Sequence, residues 1–576
     1  MIENTVPLLS VKDLSVEYPS EDGRLTAVNR VSFDIFPGEV VALVGESGSG
    51  KSATALAIMR LLQSTGGVIS DGSLIWNGGE FPMDLVQQSQ KEMAKFRGRE
   101  ISMVFQEPMS ALNPAMTCGR QITEILFEHL NLDMSEVLDT TTQLLQEVGI
   151  EEPIEAMLKY PHQFSGGQKQ RLLIATAIAA NPSLLIADEP TTALDSNIKK
   201  RINDLLHRIQ TERKLSMLYI THDIDSIEQL ADRIMVMFAG KIVEQGTAYE
   251  ILHHPQHFYT QALLASRPPK TGRYYFLPTT QDFMRVSMDG TAVKSSAKVE
   301  ELFEKLAISP SDRQRNLDAI YAQEPLLKVE HLYKADNRNS EKAERIREVV
   351  SDVSFDLYKG ETLGLVGSSG CGKTTLGRCL LGLTDRDSGD LWIKDKKSNE
   401  YGLVPGLNRV GSRIQYIFQD PYSSLNPKHT IGKALLEPLQ ILGQGNQKSR
   451  IGRVNEMLAK VGLKPYHFDR YPIEFSGGQR QRIAIARALL LEPEIIICDE
   501  VVSALDVSVQ AQVLNLLNEL KYEYGLSYLF ISHDLNVVRY MCDRILVMSE
   551  GKIVESGESD FLFQNPQAEE TKLLLA

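Results

Sequence analysis

Cysteine is scarce, with five in 576 residues. Cys118, Cys371, Cys379, Cys498 and Cys542 form no CxxC pair. That excludes a disulfide scaffold, gives a zinc or iron–sulfur site little support and indicates a reducing compartment. Long apolar runs are also missing. The richest, Leu172 to Ala180, spans nine residues and is closed by Asn181-Pro182. No stretch approaches the roughly 18 residues that a membrane span requires. The opening segment, MIENTVPLLSVKDLSVEYP, has neither a basic nor an apolar block, so no signal peptide is expected. If the protein acts at a membrane, other chains provide the span. Cations are in deficit, 61 Lys and Arg against 75 Asp and Glu, for a net charge of −14. Binding nucleic acid by bulk charge needs the opposite balance, so no nucleic-acid partner is expected. What remains is ordinary globular protein, 43% apolar and 24% charged. At roughly 150 residues per unit, the length suggests about four structural units.

The chain is a duplication. FSGGQKQR at 164–171 returns as FSGGQRQR at 475–482, and FQEPMSALNP at 105–114 as FQDPYSSLNP at 418–427. ADRIMVMFAGKIVEQG at 231–246 returns as CDRILVMSEGKIVESG at 542–557. Ser165 and Ser476, Glu189 and Glu500, and His222 and His533 are all 311 residues apart. Lys51 and Lys373 are 322 apart, but Gln106 and Gln419 only 313, so the first copy carries nine extra residues between those points. Segment 78–98 is the natural place for them, as polar surface structure. The second copy starts near Pro325-Leu326-Leu327, matching Pro7-Leu8-Leu9. The expected division is 1–266, a connector at 267–324 that is a linker or C-terminal extension of the first copy, and 325–576. The connector opens on Pro-rich RPPKTGRYY, has helical periodicity over 297–308, and mixes nine Lys and Arg with eight Asp and Glu.

Each copy carries a phosphate-loop pattern between an apolar strand-like run and a helix. Gly45, Gly50, Lys51 and Ser52 form the first; Gly367, Gly372, Lys373 and Thr374 form the second, with Gly48 and Gly370 inside the loops. Glycines let successive backbone N–H groups turn onto a polyanion, and the helix adds its positive end. Lys51 and Lys373 reach the phosphates, while the Ser52 and Thr374 hydroxyls can ligate Mg²⁺. Two buried-strand runs end in paired acids, Asp188-Glu189 and Asp499-Glu500. Such a run places its acids at the end of a parallel strand, beside the phosphate loop. Asp188 and Asp499 are read as Mg²⁺ carboxylates, mostly through water, and Glu189 and Glu500 as the groups that polarise the attacking water. His222 and His533 follow further apolar runs and are read as contacting the γ-phosphate or that water. Gln106 and Gln419 follow ISMVF and IQYIF, where a neutral amide can sense both Mg²⁺ and water.

Together these residues resemble the ATP-binding-cassette (ABC) ATPases over nearly the whole chain outside 267–324. The decisive motif is Ser165-Gly166-Gly167-Gln168 with its repeat Ser476-Gly477-Gly478-Gln479. The resemblance implies an α/β fold of two tandem P-loop, RecA-like domains, each with an inserted helical subdomain and an antiparallel β subdomain. It implies ATP and Mg²⁺ as cofactors and an internal pseudo-dimer with two composite sites. In these, the Ser476 helix would face the Lys51 loop and the Ser165 helix the Lys373 loop. Every core catalytic residue is present on both sides. An aromatic near each N-terminus would stack on adenine: Tyr18 fits in the first copy, whereas Asp336 occupies the aligned place in the second, with Tyr333 three residues earlier. Val501 and Val502 replace the turn at Pro190-Thr191.

The FQ(E/D)P-x4-LNP motif after each glutamine is similar to the peptide/nickel importer ATPases of bacteria, as are the tails HPQHFYTQALLAS and NPQAEETKLLLA. That implies two transmembrane permeases, an extracytoplasmic solute-binding protein, and a peripheral place on the cytoplasmic face of the inner membrane. Peptides are the default solute, with nickel or opine-like chelates as alternatives. No tail carries cysteine, so no iron–sulfur cluster is expected. The competing reading is a soluble twin-cassette ATPase acting on ribosomes or nucleic acid.

Overall fold

The computed structural model describes residues 6–575 except 21–22, 193, 225–226, 270, 287–291, 295–298, 337–346, 395, 398–402, 405–406, 409–412, 444 and 504. The chain divides into two units. One comprises Met1–Ala265 and Thr280–Ala297, the other Ser266–Thr279 and Lys298–Ala576.

In the first unit VVALV, LLIAD and SMLYIT are buried along their whole length, as central parallel strands covered on both faces must be. They lie in a six-stranded sheet ordered Lys241–Thr247, Arg233–Phe238, Val40–Val44, Ser216–Thr221, Leu184–Asp188, Ile101–Val104. Pairing is parallel except between the first two strands of that order. Ser216–Thr221 lies between the strand feeding the glycine loop and the strand ending in Asp188. His222 therefore emerges between the loop and the acids. A four-stranded antiparallel sheet is built on Leu9–Ser20, which pairs with Gly23–Ile35 on one side and Val68–Trp76 on the other. Leu9, Leu14, Ile35, Leu74 and Trp76 from this sheet pack with Leu43, Ile58 and Ile186 into one core. Helices Cys118–His129, Met134–Glu147 and Pro153–Leu158 form the insert, and Gly166–Ile178 returns the chain to the sheet.

Segment 78–98 is more than polar surface. Its strand Met83–Asp84 joins the antiparallel sheet, and Ser89 and Glu92 cap helix Gln90–Phe96 reciprocally. Leu85 and Met93 are fully buried, and Phe96 meets Trp76 edge to face at 5.3 Å. Three apolar side chains spaced along a polar stretch suffice to anchor it.

The second unit repeats the plan. Its six-stranded sheet runs Ile414–Ile417, Ile495–Asp499, Ser527–Ile531, Thr362–Val366, Arg544–Ser549, Lys552–Glu558, beside an antiparallel sheet built on Pro325–Asp336. Helices Ile431–Ile441 and Gln447–Lys460 form its insert. Val501 and Val502 are buried in its core. Part of the connector also belongs here. Leu277 joins that core, its N–H donating to Asn515 Oδ1 and its carbonyl accepting from Asn515 Nδ2, both at 2.8 Å. Arg273, 8% exposed, donates to the carbonyls of Tyr540 and Cys542 and pairs with Asp560 at 3.0 Å. Helices Val299–Leu306 and Pro310–Tyr321 follow, and from the latter Arg313 pairs with Asp543 at 2.8 Å. Among the described residues no helix is long and apolar enough to cross a membrane.

Candidate nucleotide-binding sites

Strand Val40–Val44 leads into the glycine loop, and helix Lys51–Ile58 leaves it. Gly50 caps that helix in the left-handed region at φ 107°. A Cβ on Gly50 would stand 2.4 Å from the Ala27 carbonyl oxygen, and one on Gly45 2.2 Å from that of Met237. Both glycines are therefore needed for packing as well as for turning. Lys51 is buried, its ammonium donating to the carbonyls of Gly45 and Glu46 at 2.8 and 2.9 Å. The charge is thus held over its own loop. The second loop matches: Lys373 donates to Gly367 and Ser368 at 2.8 and 3.0 Å, and Gly372 caps helix Lys373–Leu381 at φ 110°. Gly48 and Gly370 have positive φ and open space where a side chain would be.

The acids converge on these loops. Ser52 Oγ donates to Asp188 Oδ1 at 3.1 Å, and Thr374 Oγ1 to Asp499 Oδ1 at 3.4 Å. Burial pushes Asp188 up to about 6, against the Ser52 hydroxyl and the Lys51 charge; burial likewise raises Asp499. A buried carboxylate whose ionised form costs this much suits a bound cation. The donors are hydroxyl and carboxylate oxygens, the type Mg²⁺ prefers. The residues fit that ion.

Gln106 Nε2 donates to Glu189 Oε2 at 3.0 Å, and Thr192 Oγ1 to the same oxygen at 2.8 Å. His222 Nδ1 lies 3.3 Å from it. Burial raises this carboxyl, but His222, Thr192 and Lys51 more than offset it and bring it down to about 2. It is therefore ionised at neutral pH, as a group that orients water must be. In the second unit Gln419 donates to Glu500 Oε2 at 2.6 Å and His533 Nδ1 lies 3.2 Å from Oε1. Both glutamates sit in the left-handed region, at φ 48° and 49°, their N–H groups donating to Ile220 and Ile531. Glutamate rarely adopts that conformation, and such strain collects at functional sites. Nothing in the sequence signalled it. The Thr192 bond was equally missed, although a hydroxyl residue three positions after the acid was visible.

Ser165 and Ser476 each cap a helix, accepting from the Gln168 and Gln479 N–H groups while those side-chain oxygens accept from Ser165 and Ser476 N–H. Ser165, Gly166, Gln168, Ser476 and Gly477 are exposed and Gln479 is half-buried, whereas Gly167 and Gly478 are buried. A Cβ on Gly167 would meet Ile198 at 2.8 Å, and one on Gly478 would meet Val509 at 2.2 Å. These helix ends stand open to an anion. Tyr18 is half-buried at the end of its strand, its ring against Gly67. Tyr333 is half-buried too, with its hydroxyl turned toward Asp352. The Asp336 side chain lies outside the described residues.

The family model described as ABC transporter matches residues 28–192 and 350–503. The chain is 43% identical over 574 residues to the glutathione import ATP-binding proteins GsiA of Escherichia coli and of Shigella flexneri, covering 99% of this chain and 89% of each relative. A solved dimeric ATP-binding cassette with ADP and phosphate is similar at 28% identity, over 42% of this chain and 98% of that one, with a TM-score of 0.38.

Proposed function

Because the chain belongs to the ABC transporter family, we propose that its two cassettes hydrolyse ATP to drive import of a small peptide through partner permeases. The observation that carries the catalytic part is the repeated cluster in which a glutamine, a glutamate and a histidine meet at the end of one sheet. The chain is an ATPase, and its relatives are import ATP-binding proteins, which gives the ribosomal or nucleic-acid reading no support.

In the proposed cycle the loop N–H groups and Lys51 or Lys373 bind the phosphates. Mg²⁺, when bound, would neutralise charge on them, held at Ser52 and Asp188, with Gln106 nearby, and at Thr374 and Asp499, with Gln419 nearby. Glu189 and Glu500 orient the water, each steadied by its glutamine and histidine. Ser165-Gly166-Gly167 and Ser476-Gly477-Gly478 act as anion-binding helix ends that complete the opposite half's site when ATP is bound, and Tyr18 acts as the adenine platform. Glutathione in the names of the relatives, together with the motif likeness to peptide/nickel importers, supports a short peptide as the solute. A groove beside Gln419, lined by Leu383, Phe418, Pro438 and Ile441 and edged by the Arg487–Glu437 ion pair, gives a permease segment an apolar seat. The protein then works on the cytoplasmic face of the inner membrane, with an extracytoplasmic binding protein supplying solute.

Proteoliposomes containing the neighbouring permeases test this. ATP-dependent uptake of a peptide captured by the partner binding protein is expected. Recovery of the chain solely with ribosomes, even with permeases co-expressed, overturns it.

A further inference from the structure

Tyr416 stands on strand Ile414–Ile417 and is 8% exposed. Its hydroxyl donates to Asp499 Oδ2 at 2.6 Å, while Thr374 approaches Oδ1. The ring lies under helix Lys373–Leu381 at Gly377. A Cβ there would stand 3.1 Å from the ring and 3.3 Å from the hydroxyl, closer than a methyl group normally sits. Neither feature recurs in the first unit. The matching positions hold Met103, whose thioether has no proton to donate, and Ala55, which supplies the methyl that Gly377 omits. Two positions distant in sequence thus differ together, and the pair in the second unit makes room for one hydrogen bond.

We infer that Tyr416 is a positioning residue specific to the second ATP site. By fixing Oδ2 of Asp499 it aims Oδ1, beside Thr374, at the metal, so the two sites hold Mg²⁺ unequally. The inference rests on the proposed role of Asp499 in holding Mg²⁺. A carboxylate free to rotate presents the metal with several geometries; one pinned through its far oxygen presents one. Hydrogen-bond partners behind a ligating group commonly change metal affinity by about 10–100-fold.

The test uses the full chain with Lys51→Ala, which disables nucleotide binding at the first site. Mn²⁺ binding to the ATP-loaded second site is followed by electron paramagnetic resonance. Tyr416→Phe is expected to weaken Mn²⁺ binding about tenfold while leaving metal-free binding of a fluorescent ATP analogue unchanged. Gly377→Ala, which crowds the ring without touching the carboxylate, is expected to act in the same direction. Mn²⁺ affinity within twofold of the parent in Tyr416→Phe, or an equal loss of metal-free ATP binding, overturns the inference. Asp499→Asn separates the two readings. If it abolishes the tight Mn²⁺ site while Tyr416→Phe does nothing, the metal assignment stands and the Tyr416 role falls. If Asp499→Asn also does nothing, the assignment itself falls.

Discussion

Glu189 and Glu500 occupy the same place in two copies of one fold, yet different neighbours hold them. Thr192 donates to the Glu189 carboxylate, whereas Ser503, at the matching position, donates to the backbone carbonyl of Glu500. Asp232 in the first unit accepts from the Val40 N–H. Its counterpart Asp543 accepts from Thr362 N–H and also pairs with Arg313 and Lys521. The lysines, acids, glutamines and histidines proposed to act on the phosphates repeat without change. The groups behind them answer only to stability and geometry, and they have diverged.

The harshest way to break this comparison is at the two glutamates proposed to orient water. Glu189→Gln and Glu500→Gln together should reduce steady-state ATPase by about a thousandfold while ATP binding persists. Each single variant then reports its own site, and equal losses would show that the unlike supports do not alter the chemistry. Unchanged ATPase in the double variant would mean the roles are misassigned.

A smaller effect is expected at the buried Asp543 and its exposed counterpart Asp232. Asp543→Asn removes the carboxylate that Lys521 pairs with and the nearest of the three around Arg313, leaving Glu558 and Asp560, and should cost the second unit about 3 kcal/mol. Asp232→Asn should cost the first about 1 kcal/mol. Thermal unfolding of each full-length variant checks the difference. The pH dependence has a definite sign. Burial raises Asp543, but Lys521 and Arg313 prevail and hold it down at about 2. Its stabilisation is therefore present above about pH 4, near the unfolded value, and is lost as pH falls toward 2. The Asn variant should lack that slope.

The smallest effect separates Thr192 from Ser503. Thr192→Val removes a hydrogen bond to a charged group and should slow the first site about tenfold. Ser503→Ala, which touches backbone alone, should change the second less than twofold, roughly the lower end for a neutral bond. Single-turnover assays with the other site disabled read both.

Much of this was legible from sequence because the motifs repeat. The loops, the acids, Gln106, Gln419 and both histidines could be named from spacing, and the parallel strands from their unbroken apolar runs. What escaped depends on contacts distant in sequence. Arg273 looks like one charge in a mixed connector, and no local pattern shows that it enters the second unit to bind carbonyls near Cys542. Tyr416 looks like an ordinary strand aromatic until Gly377 is placed above it. The helix at 90–96 was hidden because Leu85, Met93 and Phe96 are too widely spaced to give a period.

The left-handed backbone at Glu189 and Glu500 carries a consequence for anyone who evolves this protein. Glycine would accept that conformation without strain, by a margin of about 1 kcal/mol or more. A library sorted for heat resistance alone is free to take that relief at both positions. Its survivors would grip ATP and leave it uncleaved.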